Sequence, residues 1–87
     1  MISFPKLESW NNMTKTATIV AQIDKKNRVL CRISSESLRG KFGVSDDTTM
    51  QLIAKHRTII QQAAANLIER DSYQEDGSIL IKPSDLQ

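Results

Sequence analysis

Two stretches in the first half of the chain alternate apolar and polar positions. In KTATIVAQID (residues 15–24) and RVLCRI (residues 28–33), every second side chain is apolar. A period of two is typical of a β-strand with one buried face. Because only KKN separates the two stretches, they are predicted to form an antiparallel hairpin.

The apolar faces of the two strands also predict the register of the hairpin. A three-residue loop over residues 25–27 would set Ile19 opposite Ile33 and keep every apolar pair on one face. A two-residue loop would mix the faces, since a slip of one residue turns every side chain over. We therefore predict the three-residue loop, with Asn27 at positive φ.

A short helix is predicted over residues 35–42. Ser34 suits its N-cap, and Gly43 suits the position after its last turn. Leu38 and Phe42 are four residues apart, so they share the face that would contact the core.

A long helix is predicted over residues 44–72, with Ser45 or Asp46 as its N-cap. Its apolar stripe comprises Met50, Ile53, Ile60, Ala64, Leu67 and Ile68, and it is widened on one side by Leu52, Ile59 and Ala63. A stripe of this width should contact two neighbours: the sheet, and either the short helix or a second copy of the chain.

The stretch SILIK (residues 78–82) predicts a last strand with Ile79 and Ile81 inward, and ISFP (residues 2–5) is a candidate for an added edge strand. The order β-β-α-α-β predicts a single α+β domain over residues 1–87. In it a small antiparallel sheet, the hairpin plus the C-terminal strand, packs against one short and one long helix.

Composition narrows the class of protein. A hydrophobic fraction of 39% and a charged fraction of 25% are typical of a soluble globular domain. The single cysteine, Cys31, excludes an intrachain disulfide, and the N-terminus lacks a signal-peptide pattern. We therefore expect a cytoplasmic protein. We expect no membrane association, since no apolar run approaches the roughly 18 residues of a membrane helix.

The charge is unevenly distributed along the chain. Residues 1–45 hold eight basic and three acidic side chains, a net +5, whereas residues 46–87 carry a net −3. The two interpretations are a bipolar surface and a basic patch for an acidic partner. The candidate nucleic-acid contacts are Lys15, Lys25, Lys26, Arg28 and Arg32. Without stacking aromatics among them, they also fit a solvated outer face that protects a strand edge.

Few residues could carry catalysis. With one histidine and one cysteine, the chain offers no metal-ligand set, and no cofactor motif is present. Cys31 lies on the inward face of its strand, where a cysteine is usually an inert small hydrophobe. We therefore expect no enzyme, with a His56-dependent activity as the residual option.

His56 and Arg57 interrupt the apolar stripe of the long helix and are the candidate contact residues. In one interpretation they are structural: His56 hydrogen-bonds a carbonyl or carboxylate at the edge of the core, and the Arg57 head reaches water or an acid. In the other, both line a groove for an anionic ligand or a partner peptide.

An ordered set of residues resembles a family of short bacterial proteins known as domain of unknown function 1488. The set comprises ISFP, Trp10, CRIS, Leu38, Phe42, and HR with Ile60 and Ala64 on one helix. The family pattern marks Phe4, Pro5, Trp10, Cys31, Ile33, Ser34, His56 and Arg57. Two positions depart from it: the hairpin turn DKKN lacks the usual glycine, and Gln61 stands where a glutamate is common. The resemblance implies a compact α+β fold and no particular activity.

The functional hypothesis is a small non-enzymatic protein that binds a protein partner. A homodimer is one form of it, motivated by Leu52, Ile59 and Ala63 on the widened stripe. The alternative is a nucleic-acid-binding module that uses the basic hairpin.

Overall fold

The computed structural model describes residues 2–43 and 46–86, and it contains a four-stranded sheet with helices on one face. The elements are β1 (Glu8–Asn11), β2 (Thr16–Gln22), β3 (Arg28–Ser34), α1 (Ser35–Phe42), α2 (Thr49–Lys55), α3 (Arg57–Glu69), β4 (Ile79–Ile81) and a 3-10 turn (Pro83–Asp85). The strands lie in the order β1-β2-β3-β4. The α+β class and the order strand, strand, helix, helix, strand are confirmed, with β1 as an added edge strand.

The added edge strand does not form from ISFP. It forms from Glu8–Asn11, which pairs antiparallel with β2. Ser3 makes only an isolated bridge to Gln22, with N–O distances of 2.9 and 2.7 Å. The first residues therefore extend the sheet edge by a single pair.

The hairpin register differs from the prediction by two residues. Ile19 lies opposite Cys31 rather than Ile33, and Ala21 lies opposite Val29. The loop therefore spans residues 23–27, and a backbone hydrogen bond of 3.0 Å closes it, from Ile23 N to Asn27 O. A shift of two keeps every side chain on its face, so the pattern alone could not separate the two registers.

Side-chain hydrogen bonds explain the longer loop. The carboxylate of Asp24 accepts from the backbone N–H groups of Lys26 and Asn27, at 2.8 and 3.0 Å. Such an Asx turn stabilises a wider loop without left-handed backbone. The prediction of positive φ at Asn27 is wrong: among the described non-glycine residues, only Lys15 and Asp71 have positive φ.

The last strand is parallel to its neighbour, so the sheet is mixed rather than antiparallel. Ile79 pairs with Cys31 and Ile81 with Ile33. Between β3 and β4 the chain passes through all three helices, a crossover long enough to return it in the same direction. Ile79 and Ile81 point inward as predicted and are at most 1% exposed.

The short helix has the predicted bounds and caps. The Ser34 side chain accepts a hydrogen bond of 3.0 Å from Ser37 N. Gly43 ends the helix at φ +90, and its N–H donates to Arg39 O at 2.9 Å. Left-handed backbone of this kind favours glycine, because a Cβ would be strained there.

The predicted long helix is two helices that meet at His56. α2 begins at Thr49 because Thr48 and Gln51 form a reciprocal capping box. Asp46 is therefore not the cap, and Ser45 lies outside the described residues. His56 takes φ −114 and ψ 27, yet Ile60 N still donates to His56 O at 3.1 Å. The interruption is thus confined to one residue.

The core lies between the inward face of the sheet and the helices. Its buried residues include Ala17, Ile19, Ala21, Val29, Cys31, Ile33, Leu38, Ile53, Ile60, Ala64, Leu67, Ile68, Ile79, Ile81 and Leu86. Leu52 and Ala63 belong to the same cluster and are each 3% exposed. The side of the stripe that motivated a homodimer is thus largely covered by the chain itself. Within the described residues, no helix has the length and apolar character to cross a bilayer.

Candidate functional site

The imidazole of His56 lies flat against the ring of Phe42. Their centroids are 3.8 Å apart and their planes differ by 1°. The contact joins the end of α1 to the junction of α2 and α3. Within the described residues no hydrogen bond to the imidazole is present, so the expected carbonyl or carboxylate partner is replaced by an aromatic one.

The guanidinium of Arg57 pairs with the carboxylate of Glu8 on the edge strand. Nη1 donates to Oε2, and Nη2 donates to Oε1 at 3.3 Å. Glu8 pairs with Ile19, so it lies on the helix-facing side of the sheet, where its side chain is only 18% exposed. A carboxylate held there needs a cation, and Arg57 provides it.

These contacts favour the structural interpretation of His56 and Arg57. Each side chain joins two elements that are distant in sequence. The Arg57 guanidinium donates two hydrogen bonds to Glu8, an acid within the same chain. A role for the pair in binding an anionic ligand or peptide stays a prediction, and such a ligand would have to compete with Glu8.

Cys31 is fully buried on the inward face of β3. Burial raises the pKa of its thiol to about 11, so the reactive thiolate is scarce at neutral pH. Its Sγ lies 3.8 Å from the carbonyl oxygen of Val29. Among the described residues, no group of three His, Cys, Asp or Glu side chains could hold a metal ion.

The predicted basic residues of the hairpin do not form one surface. Lys25, Lys26 and Arg28 lie at the loop end, whereas Lys15 lies at the far end of β2, where its Nζ donates to Asn12 at 2.9 Å. Seven strand residues separate the ends, a distance of about 24 Å.

Arg32 is separated from the other cations by its own contacts. Its Nη2 donates to Ser78 Oγ at 2.9 Å and lies 3.5 Å from the carboxylate of Asp76. Hydrogen bonds from Ser78, and then the Arg32 charge, hold the pKa of Asp76 below its usual range. Part of the excess positive charge of the first half is thus paired with an acid of the second half.

The other face of the sheet is not covered by the helices, and it carries an apolar row that runs from β3 across β2 to the residue before β1. Val20 lies opposite Leu30, and Val20 N donates to Leu7 O at 3.2 Å. Leu30 is 53% exposed and Leu7 is 44% exposed. We call Leu7, Val20 and Leu30 the outer row.

A groove lies on each side of Leu30. The first, of about 350 Å³, is lined by Leu7, Glu8, Ser9, Thr18, Val20 and Leu30. The second, of about 180 Å³, is lined by Arg28, Leu30, Asp76, Gly77 and Ser78. Leu30 therefore separates an apolar depression from a charged one.

Sequence reasoning missed the outer row, although one signal for it was present. In RVLCRI, the outward positions of the strand are Arg28, Leu30 and Arg32, so a large apolar side chain stands between two cations on the solvent face. Leu7 carried no such signal, because its place beside Val20 depends on the pairing of β1.

A further cleft lies on the helix side, with a volume of about 360 Å³. It is lined by Trp10, Arg39, Thr48, Thr49 and Met50. The guanidinium of Arg39 donates to Asp47 O at 2.9 Å and so joins α1 to the segment before α2. Two polar residues of this cleft thus have structural roles: Arg39 joins α1 to the segment before α2, and Thr48 caps α2.

The architecture defines a class of protein: a small two-layer α+β domain whose sheet is covered on one side. The family model described as "Protein of unknown function (DUF1488)" matches residues 2–81, and the chain belongs to this family. The resemblance stated from the sequence is thereby confirmed.

A solved structure shares the fold. It is the crystal structure of a protein of unknown function from the DUF1488 family of Shewanella loihica PV-4, with a TM-score of 0.82 and 21% identity. The alignment covers 93% of this chain and 91% of that one. At this identity the likeness shows the fold alone. The search of curated proteins gave no match.

Proposed function

We propose that this chain is a non-enzymatic protein that binds another protein through the open face of its sheet. The outer row carries the proposal, because Leu7, Val20 and Leu30 are adjacent and two of them are at least 44% exposed. Single exposed apolar residues are ordinary, whereas adjacent ones beside a groove are typical of an interaction surface. The proposal takes the protein to act in the cytoplasm, where its one thiol stays reduced.

The contacts of the chemistry-bearing residues support a non-enzymatic role. Nucleophilic catalysis needs a nucleophile within hydrogen-bond reach of a base. Cys31 is buried with a raised pKa, and the imidazole of His56 stacks on Phe42. Arg57, which follows His56 directly, pairs with Glu8.

Cross-linking from defined positions tests the proposed surface. A photoreactive amino acid would replace Leu30 in one variant and Met13 in another, in cells of the source organism. Met13 is the matched control, because it is 93% exposed in the turn between β1 and β2, away from the outer row. We expect a defined protein adduct from position 30 and none from position 13. Equal adducts, or none from either position, would contradict the proposal.

Nucleic-acid binding is the second candidate, and one observation favours it. Among the described residues, the charged side-chain groups of Lys25, Lys26 and Arg28 form no ion pair with an acid. If they bind RNA or DNA, affinity should fall steeply with salt and drop when the three become Glu. Absence of binding at low salt, measured by fluorescence anisotropy with a labelled single strand, would exclude it.

A further inference from the structure

We propose that the partner presents a short acidic segment whose apolar side chains pack on the outer row and whose carboxylates face the cations at the loop end of the sheet. This inference deepens the proposed function and rests on it, since it names the chemistry of the partner at the same surface. The juxtaposition that supports it is an exposed apolar row beside a loop end of net positive charge.

The charge at the loop end of the sheet is positive. Lys25, Lys26 and Arg28 lie there with a single carboxylate, Asp24, which accepts three hydrogen bonds from its own loop. The neighbouring acid, Asp76, is already paired with Arg32. A partner that docks on Leu30 would therefore meet a net positive rim, and carboxylates on the partner would be attracted to it.

The size of the surface favours a short segment over a second copy of the chain. Three neighbouring strands place the outer row across about 10 Å. A stable interface buries on the order of 800 Å² on each partner, several times the area of such a row.

The two grooves suggest how such a segment would lie. Leu30 projects between them, with about 350 Å³ toward β1 and about 180 Å³ toward Gly77. A segment that crosses β3 can place an apolar side chain in the larger groove and a polar side chain in the smaller, charged groove. Its carboxylates would then lie next to Arg28, which lines the smaller groove.

The lining of the grooves argues against a single-stranded nucleic acid as the occupant. Proteins that bind single strands combine cations with aromatic rings on which bases stack. Neither groove has an aromatic side chain in its lining. Apolar side chains, by contrast, have Leu30, Val20 and Leu7 to contact.

The test is a titration of the ¹⁵N-labelled full chain with three peptides at low salt, in which NMR measures the chemical-shift changes of the chain. The probe is acetyl-Glu-Leu-Asp-Leu-Glu-amide. Its neutral match carries Gln and Asn in place of the acids, and its polar match carries Ser in place of the leucines. We expect shifts at β3 and at residues 23–27, and a dissociation constant at least about fivefold lower for the acidic peptide than for either match.

Two pairs of variants localise the binding. Arg28→Glu should abolish the preference for the acidic over the neutral peptide, whereas Lys41→Glu, with the same net charge and an exposed position on α1, should keep it. Leu30→Ser should weaken binding of both leucine peptides at least about fivefold. Met13→Ser should leave binding unchanged.

The outcomes separate this inference from the proposed function. Equal binding of the acidic and neutral peptides would overturn the acidic chemistry and leave the open face as a docking surface. No shifts from any peptide at about 2 mM, a concentration that would reveal millimolar affinity, would overturn the inference. Cross-linking from position 30 would still test the function independently. If poly(U) binds more tightly than the peptides and Leu30→Ser leaves its binding unchanged, the inference of an acidic segment is overturned in favour of a nucleic acid.

Discussion

On the helix-covered face of the sheet, the side chains that attract attention in the sequence contact partners within the chain. Arg57 pairs with Glu8, and His56 stacks on Phe42. On the open face, Leu30 lies half exposed beside Arg28, and the Arg28 side chain forms no ion pair among the described residues. The two unusual residues of the helix, His56 and Arg57, are thus accounted for by contacts within the chain, whereas the exposure of Leu30 is not.

The largest expected difference between the two faces is in the reactivity of a thiol placed on each face of β3. We expect Cys31 to react with a thiol reagent at about pH 8 at least ~10³-fold more slowly than a cysteine introduced by Leu30→Cys in a Cys31→Ala background. The first thiol is buried with its pKa raised to about 11, while position 30 is 53% exposed. Both should react alike in urea, and similar native rates would mean that β3 opens locally.

Removal of Arg57 should have the next largest effect. Arg57→Ala leaves the Glu8 carboxylate, 18% exposed, without its cation, and we expect a loss of about 1–2 kcal/mol in the free energy of unfolding. Arg28→Ala is the control on the open face and should change it by less than about 0.5 kcal/mol. The cost of Arg57→Ala should shrink in a Glu8→Gln background. If Arg57→Ala and Arg28→Ala lower the free energy of unfolding by the same amount, the ion pair with Glu8 contributes nothing that the open face lacks.

The stack between His56 and Phe42 should contribute less. We expect His56→Ala to lower the free energy of unfolding by about 1 kcal/mol, since aromatic pairs contribute roughly 0.5–1.5 kcal/mol. Urea titration of the single variants and of the double variant with Phe42→Leu isolates the pairwise term. An unchanged cost of His56→Ala in the Phe42→Leu background would show that the stack contributes nothing.

The smallest expected effect is the pH dependence conferred by Asp76. Hydrogen bonds from Ser78 hold its pKa below the usual value, so the stabilisation is present above that value and is lost as the pH falls through the folded-state pKa. The difference in the free energy of unfolding between the protein and its Asp76→Asn variant should therefore narrow as the pH falls below about 4. Urea midpoints at several pH values measure it, and a gap that stays constant would show that the carboxylate charge is not involved.

Local patterns predicted the elements well where one interaction decides the outcome. The bounds of α1 follow from Ser34 and Gly43, which act within a few residues of themselves. The inward faces of β2, β3 and β4 follow from the alternation, since a two-fold period survives any even shift in register. The hairpin loop was mispredicted for the same reason, because registers two residues apart bury the same face.

The candidate site was only partly visible from the sequence. Arg28 and Leu30 stand in one alternating stretch, but Leu7 joins them through the pairing of β1, and Gly77 and Ser78 join them through the crossover to β4. His56 and Arg57 were recognised as unusual, yet their partners, Phe42 and Glu8, lie 14 and 49 residues away in sequence. No local spacing rule reaches that far.

The sequence by itself determined the two hairpin strands, the short helix and the last strand, and which face of each is buried, because capping and periodicity act over a few residues. The tertiary structure alone decided that β4 runs parallel to β3, that the long helix is interrupted at His56, and that Arg57 is neutralised by Glu8. It also decided which apolar residues stay uncovered. These outcomes depend on which distant segments meet, and that is settled by packing over the whole chain rather than by any stretch of it.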